Sequence, residues 1–320
     1  MPAKANEIQI TRVYDAPVKL VWEAWTDLKH VEKWWGPRGF TLTTKSKDMR
    51  LGGKWIYTMH GPDGTDYPNI TTYLEVVKYE KLVYDHGGND ERDKLFTVTV
   101  TFKEEKGKTT MSMTMVLPTP EEAQAMKQFI KNANGNSTWD RLGEYLENET
   151  AGKDTFIINH SFEADIKTVF EMWVNPEHFS RWLGPKDSTM SFISVGVKEG
   201  GTSLWSMTTA DGQTKYGKFN YKKISPHHLL VYTQNFCDKD GKLSKPPFSA
   251  PYPDMLLTTV TFVEEGANET RVNVKWEVFS EATETERQTF YEMKSIMNGG
   301  WNGSFDKLES LLELKKISRA

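Results

Sequence analysis

Apolar and polar residues alternate strictly in several short runs of this chain. Phe96, Val98, Val100 and Phe102 are separated by Thr97, Thr99 and Thr101, and Met111, Met113, Met115 and Leu117 by Ser112, Thr114 and Val116. A period of two marks half-buried antiparallel strands, and a tight turn around Gly107 joins this pair. Trp55, Tyr57 and Met59 form another such face, leading into a hairpin turn at Asp63-Gly64. Elsewhere the period is helical. After a short strand, Ile8–Tyr14, and Pro17 in a first helical turn, Val18, Val21, Trp22 and Trp25 fall at i, i+3, i+4 and i+7. A second short helix, Leu28–Trp35, is stopped by Gly36-Pro37. Thr119-Pro120-Glu121-Glu122 reads as a capping box with proline at the first helical position, so a long helix follows.

The whole pattern is written twice. Ile10–Tyr84 aligns without a gap on Ile158–Tyr232, and the matches include Trp25/Trp173, His30/His178, Trp34/Trp182, Gly36-Pro37/Gly184-Pro185 and Gly52-Gly53/Gly200-Gly201. The strand Thr99–Phe102 returns as Thr259–Phe262, with 12 extra residues inserted ahead of it, and Trp139–Leu142 pairs with Phe305–Leu308. The second copy repeats the apolar stripe as Ile166, Val169, Phe170 and Trp173, opens its second short helix after Asn175, and repeats the capping box as Thr283–Glu286. A repeat this long means two complete domains, at 1–149 and 155–320, with Glu147–Asp154 as the linker. Behind that second box, over the roughly 30 residues 283–312 and about 45 Å of helix, Phe290, Met293, Met297, Trp301, Phe305, Leu308 and Leu312 keep helical spacing.

Each copy therefore reads as α+β: a strand, two short helices, a meander of about six strands, then one long helix. A curved antiparallel sheet with an apolar inner face must be covered, and only the closing helix is long enough to cover it. That is a helix-grip domain.

Composition narrows the function. The chain has 320 residues, with 40 Lys+Arg against 44 Asp+Glu and a formal net charge of -4. Such balance does not suit nucleic acid or an anionic membrane as partner. One cysteine, Cys237, excludes an internal disulfide framework and a thiolate-built metal site. It falls in what reads as a polar loop, as an exposed thiol. Mean hydropathy is -0.60 and no run is apolar enough to span a membrane. Met1–Gln9 holds no signal-peptide core, so a cytoplasmic location is expected and the sequons at Asn69, Asn136, Asn148, Asn268 and Asn302 are expected to be inert. Aromatic residues make up 12% of the chain, including 11 Trp, 12 Tyr and 16 Phe, a surplus that needs a structural or functional account.

Ala16–Asp27, Trp34-Trp35-Gly36-Pro37, Asp48–Trp55, Gly61–Gly64, Tyr67–Asn69, Tyr73–Val76 and Leu82–Tyr84 together resemble the Hsp90-ATPase-activator-homologue family of the START/Bet v 1-like (SRPBCC) superfamily. The second copy resembles it more loosely, through Trp182–Pro185, Gly200-Gly201, Tyr216-Gly217, Leu230–Tyr232 and Thr259–Phe262. The resemblance implies an apolar cavity for a hydrophobic small molecule between sheet and helix. It also implies two alternatives: chemistry inside the cavity, as in polyketide cyclases and aromatases, or regulation of the Hsp90 ATPase. Activators of Hsp90 pair this domain with an amino-terminal domain bearing an Asn-Asn-Trp-His-Trp string, which is absent from this sequence.

Strand parity and helix spacing give the candidate cavity walls: Trp55, Tyr57, Met59, Tyr84, Met111, Met113, Met115, Met126 and Trp139 in the first copy. In the second they are Trp205, Met207, Tyr232, Val272, Val274, Trp276, Met293, Met297 and Trp301. Methionine gives a soft, polarisable wall and Tyr or Trp an apolar wall with one polar handle. Each of these residues also fits an ordinary core. Trp22, Trp25, Trp34, Trp35, Trp173 and Trp182 read as the packing of a two-helix corner. Asp48 and Arg50 read as an ion pair or exposed charges, and Gly52-Gly53 as a bulge or sharp bend. No nucleotide-binding, hydrolase or metalloprotease motif occurs, and no metal or cofactor is expected. His30 and His178 read as packing or capping residues, and His227-His228 as a turn without carboxylates nearby. His86 and Glu75 are the two titratable groups whose parity lets them face a cavity. The segment Thr233–Pro253, enlarged by the insertion and rich in proline, reads as a loop placed to gate the second cavity. The expected function is non-catalytic binding of an apolar small molecule.

Overall fold

The computed structural model describes residues 4–89, 91–133, 135–246, 248 and 250–317, and for Asn132, Thr150 and Ile317 the backbone alone. The chain divides into two compact units, Met1–Thr150 and Ala151–Ala320. In the first, β1 (Glu7–Tyr14) leads into α1 (Val18–Thr26) and α2 (Leu28–Trp34). A meander follows: β2 (Thr41–Lys47), β3 (Lys54–His60), β4 (Asp66–Val77), β5 (Lys81–Gly88), β6 (Phe96–Glu105) and β7 (Lys108–Val116). The unit closes with α3 (Pro120–Asn132) and α4 (Ser137–Thr150). The second unit repeats the order as β8 (Thr155–Phe162), α5 (Ile166–Val174), α6 (Pro176–Trp182), β9 (Thr189–Ser194), β10 (Thr202–Thr208) and β11 (Thr214–Ser225). It continues with β12 (Leu229–Cys237), β13 (Leu256–Gly266), β14 (Glu269–Val278), α7 (Glu284–Glu292) and α8 (Lys294–Ile317).

Each unit holds one seven-stranded antiparallel sheet, ordered β1-β7-β6-β5-β4-β3-β2 and β8-β14-β13-β12-β11-β10-β9. The first strand of each unit pairs with the last, so the closing helices start beside it and return across the inner face. The fold class is α+β, two helix-grip domains.

The tryptophan corner is built alike in both units. Trp25 lies parallel to Trp139 of α4 at 5.8 Å and 9°, and meets Trp34, Trp35 and Phe102 at 5.4–5.9 Å. In the second unit Trp173 lies parallel to Trp301 of α8 at 5.9 Å and 17°, with Trp182 and Phe262 on its other sides. The indole of Trp34 donates to Ala24 O and that of Trp182 to Met172 O, which ties each second helix to the first. Gly36 and Gly184 follow these helices at φ +99° and +114°, a backbone region that favours glycine. The closing helix grips that turn: Arg141 donates to Gly36 O and Pro37 O, while Ser304 Oγ accepts from Gly184 N and donates to Gly184 O. His30 bonds Tyr145 and His178 contacts Lys315, so the packing role expected of both histidines joins short helix to closing helix.

Several expectations change. The single closing helix is two segments in each unit. α3 ends at Asn132 and α4 starts at Ser137, where the sequence is poor in helix formers, and Met293 separates α7 from α8. Alignment pairs Trp139 with Phe305, yet the ring that stacks as Trp139 does is Trp301, one helical turn earlier. The linker is shorter than Glu147–Asp154, because α4 runs to Thr150 and β8 starts at Thr155. Cys237 is buried rather than exposed, since β12 continues past Tyr232 and pairs Cys237 with Tyr216 of β11. The insertion thus begins after Cys237. From it Phe248 packs on Phe236, and Tyr252 packs on Phe248 and on Phe290 of α7. Pro247 lies outside the described residues.

Replacing Trp25 or Trp173 by Ala removes the ring on which the corner is stacked, so each substitution is expected to destabilise its own unit by about 3–5 kcal/mol. Urea denaturation followed by circular dichroism checks this; a loss below about 1 kcal/mol for either would contradict the shared role.

Candidate functional site

The site is built from the inner face of the first sheet. Register places Tyr57 opposite Asn69, Met59 opposite Tyr67, and His86 opposite Phe96, so these side chains share one face. A bulge between Tyr73 and Glu75 reverses parity beyond it. Glu75 therefore faces outward and pairs with Lys81 at 2.7 Å, which corrects its reading as a cavity-facing group. His86 keeps its parity and faces in.

Between this face, the Trp35–Pro37 turn and the α3–α4 pair lies a cavity of about 470 Å³. Its walls are mainly apolar: Ile10, Trp35, Met59, Phe96, Met115, Met126, Ile130 and Trp139, with Phe129, Leu95 and Tyr67 exposed at the rim. Its polar members include Asn69, His86, Thr138, Asn89, Arg92 and Asp66. The loop after Gly88 is shaped by Asn89, whose side chain accepts from the backbone N–H groups of Glu91 and Arg92. Arg92 Nε then donates to Gly87 O at 2.7 Å. Asp66 pairs with His60 at 2.6 Å. Gly87 sits at φ +79°, and a Cβ there would meet Leu95 at 2.6 Å, so the loop closes tightly onto the rim.

Of the residues expected from sequence, Met59, Met115, Met126 and Trp139 line the cavity. Trp55, Tyr57, Tyr84, Met111 and Met113 are buried in the surrounding core and do not line it. Trp55 and Tyr57 stack at 4.1 Å behind Trp35. In the second unit Trp205, Tyr232, Val272, Val274, Met297 and Trp301 are buried, and Met207, Trp276 and Met293 are half-buried against the same core. Trp276 and Trp301 meet edge to face at 5.7 Å. Strand register makes Trp276 the counterpart of Met115, Gly217 that of Asn69 and Trp205 that of Tyr57. Sequence reasoning missed Asn69, Thr138, Arg92 and Phe129. The first could have been found: Tyr67, Asn69, Thr71 and Tyr73 share the parity of one strand face. Arg92 and Phe129 depend on where a loop and a helix break place them.

The interior disfavours charge. Burial pushes the Tyr57 phenol up, and burial together with neighbouring phenols does the same for Tyr73 and Tyr84. Burial and the nearby Arg92 guanidinium push the His86 imidazole down to about 4, so it is uncharged at neutral pH. At the tryptophan corner, Lys47 is pushed down to about 7 by burial, against the pull of Asp27 and Glu32. Its Nζ donates to Trp25 O and lies 3.8 Å from the centre of the Trp55 ring, closing the tryptophan corner. Asp48 and Arg50 form an exposed ion pair at 2.8 Å, and Gly52 at φ +74° makes the turn between them and β3. Among the described residues no group of three or more His, Cys, Asp or Glu is placed to hold a metal, and no helix is long and apolar enough to cross a membrane.

Two helix-grip units, the first holding a mainly apolar cavity, define a tandem START-like protein. The chain belongs to the family described as Activator of Hsp90 ATPase homolog 1-like protein, whose profile matches residues 15–147 and again 163–313. No curated protein matches it. Among solved structures, a protein from Nitrosomonas europaea is 22% identical, covering 47% of this chain and 99% of its own, with a TM-score of 0.42. One from Staphylococcus epidermidis is 27% identical, covering 47% and 95%, with a TM-score of 0.41. The di-domain ARO/CYC protein BexL from the BE-7585A biosynthetic pathway is 13% identical, covering 95% of this chain and 97% of its own, with a TM-score of 0.39.

His86 has a lower pKa folded than unfolded, so the unfolded chain binds the extra proton first. Its contribution to stability is complete above pH 6.5 and is lost as pH falls towards about 4. An imidazole NMR titration of the folded protein is expected to place the His86 midpoint near pH 4, and His86→Gln is expected to flatten the acid side of the stability profile. A midpoint near the ordinary histidine value would contradict the burial argument.

Proposed function

We propose that this chain is a cytoplasmic binding protein that holds an apolar small molecule in the cavity of its first unit, without catalysis. The observation that carries the reading is the cavity itself: about 470 Å³, walled by rings and thioethers with few polar groups. That volume falls in the range of small-molecule sites, and the mixture of mostly apolar wall and a few polar atoms is what such sites use for affinity and orientation. Met59, Met115 and Met126 give walls that adapt to an occupant. The free thiol of Cys237 suits a reducing compartment.

A second reading, acid–base chemistry on the occupant, is favoured by His86, which lines the cavity and has no hydrogen bond to its ring nitrogens among the described contacts. The same depressed pKa that keeps it neutral makes it a weak base and leaves it without a proton to donate at neutral pH. Binding is the better-supported function.

The uncharged dye N-phenyl-1-naphthylamine tests it, since its fluorescence rises in apolar surroundings. The native chain is expected to bind it, and Met115→Trp, which places in the first unit the residue that the second carries as Trp276, is expected to weaken binding about tenfold or more by narrowing the cavity. No fluorescence rise with the native chain, or an unchanged affinity in the variant, would remove the first cavity as the site. Native mass spectrometry of the purified protein would identify a retained occupant.

A further inference from the structure

We infer that the occupant of the first cavity is an uncharged ring molecule bearing a hydroxyl or N–H group, and that this group donates to Asn69 Oδ1; the inference rests on the binding reading above. Asn69 lies on the inner face of β4 opposite Tyr57, and its side chain lines the cavity. The amide oxygen is buried and accepts no hydrogen bond from the chain. A buried acceptor left unpaired is costly, and nearly all such groups in native proteins are completed by something. A donor arriving with the occupant completes this one.

The surroundings select against a charged occupant. The neighbouring imidazole of His86 is held neutral, and the phenols of Tyr57 and Tyr84 behind the wall are held protonated, all chiefly by burial. The charged groups at the rim, Arg92 and Asp66, are of opposite sign, so they give no net preference for an anion or a cation. The indoles of Trp35 and Trp139, the ring of Phe96 and the thioethers of Met59 and Met115 offer flat, polarisable surface that suits a ring better than a flexible chain.

The second unit does not repeat this device. Gly217 stands at the Asn69 position, and the Trp205 ring lies so close over it that a Cβ would come within 2.2 Å. Gln234 stands where the first unit has His86. The donor preference therefore belongs to the first unit.

The test compares 2-naphthol with 2-methoxynaphthalene and 2-naphthoate, titrated into the full chain by calorimetry at pH 7. The three share one ring system; only the first is an uncharged donor. 2-Naphthol is expected to bind roughly tenfold tighter than the methyl ether, the worth of one buried hydrogen bond. Asn69→Leu is expected to bring 2-naphthol down to the affinity of the ether and leave the ether unchanged, and Met115→Trp to weaken both. Equal affinities of naphthol and ether for the native chain, or a preference that survives Asn69→Leu, would overturn the Asn69 assignment while leaving cavity binding intact. Tighter binding of 2-naphthoate than of 2-naphthol would overturn the uncharged class. Binding of none of the three would overturn both the inference and the function it rests on. The comparison on the native chain decides the matter even if the variant fails to fold.

Discussion

The parallel stacking of one tryptophan from the first helix on one from the closing helix is the contact on which each unit depends. Trp25 on Trp139, and Trp173 on Trp301, fix the distance between the two-helix corner and the helix that covers the sheet. With that distance fixed, the Gly-Pro turn comes within reach of Arg141 in one unit and Ser304 in the other. The sheet must then curve to meet rings it cannot displace. Large, stiff side chains serve this purpose because they bury much area at little cost in rotamer entropy. Neither Trp25 nor Trp173 pairs its indole N–H, so these two rings are held by packing, while Trp34 and Trp182 beside them keep their indole hydrogen bonds.

Duplication kept that frame and changed what it surrounds. Met115 of the first unit corresponds by register to Trp276 of the second, and Asn69 to Gly217 beneath Trp205. The stacking tryptophan shifts by one helical turn, from the first turn of α4 to a position well inside α8. The insertion after Cys237 adds Phe248 and Tyr252 to the second interior. One frame thus supports two differently lined interiors, as expected where the shell is set by packing and the contents are free to vary. The family relationship fixes the shell and is silent on the contents.

The strands were legible because alternation is imposed locally: Phe96 to Phe102 and Met111 to Leu117 have one face to bury, and a period of two follows. The repeat was legible because the tryptophans of the corner cannot be exchanged freely. Glu75 was misplaced because parity is counted along a regular strand, and the bulge after Tyr73 is invisible in residue types. Cys237 was misplaced because a strand that pairs with Tyr216 carries polar neighbours indistinguishable from a loop. The division of the closing helix into α3 and α4 was hidden because its apolar spacing continues on both sides.

What the sequence determined by itself is the frame: two α+β units, their strand faces, their helical corners and the list of residues able to face inward. Those follow from local periodicity, which every segment carries within itself. Which inward residues border empty space was decided only by tertiary structure. Met111 and Met115 have the same parity on the same strand, yet one is sealed in the core and the other lines the cavity. The difference is set by how far the covering helices stand from the sheet at each point, a distance between segments far apart in sequence that no single segment contains.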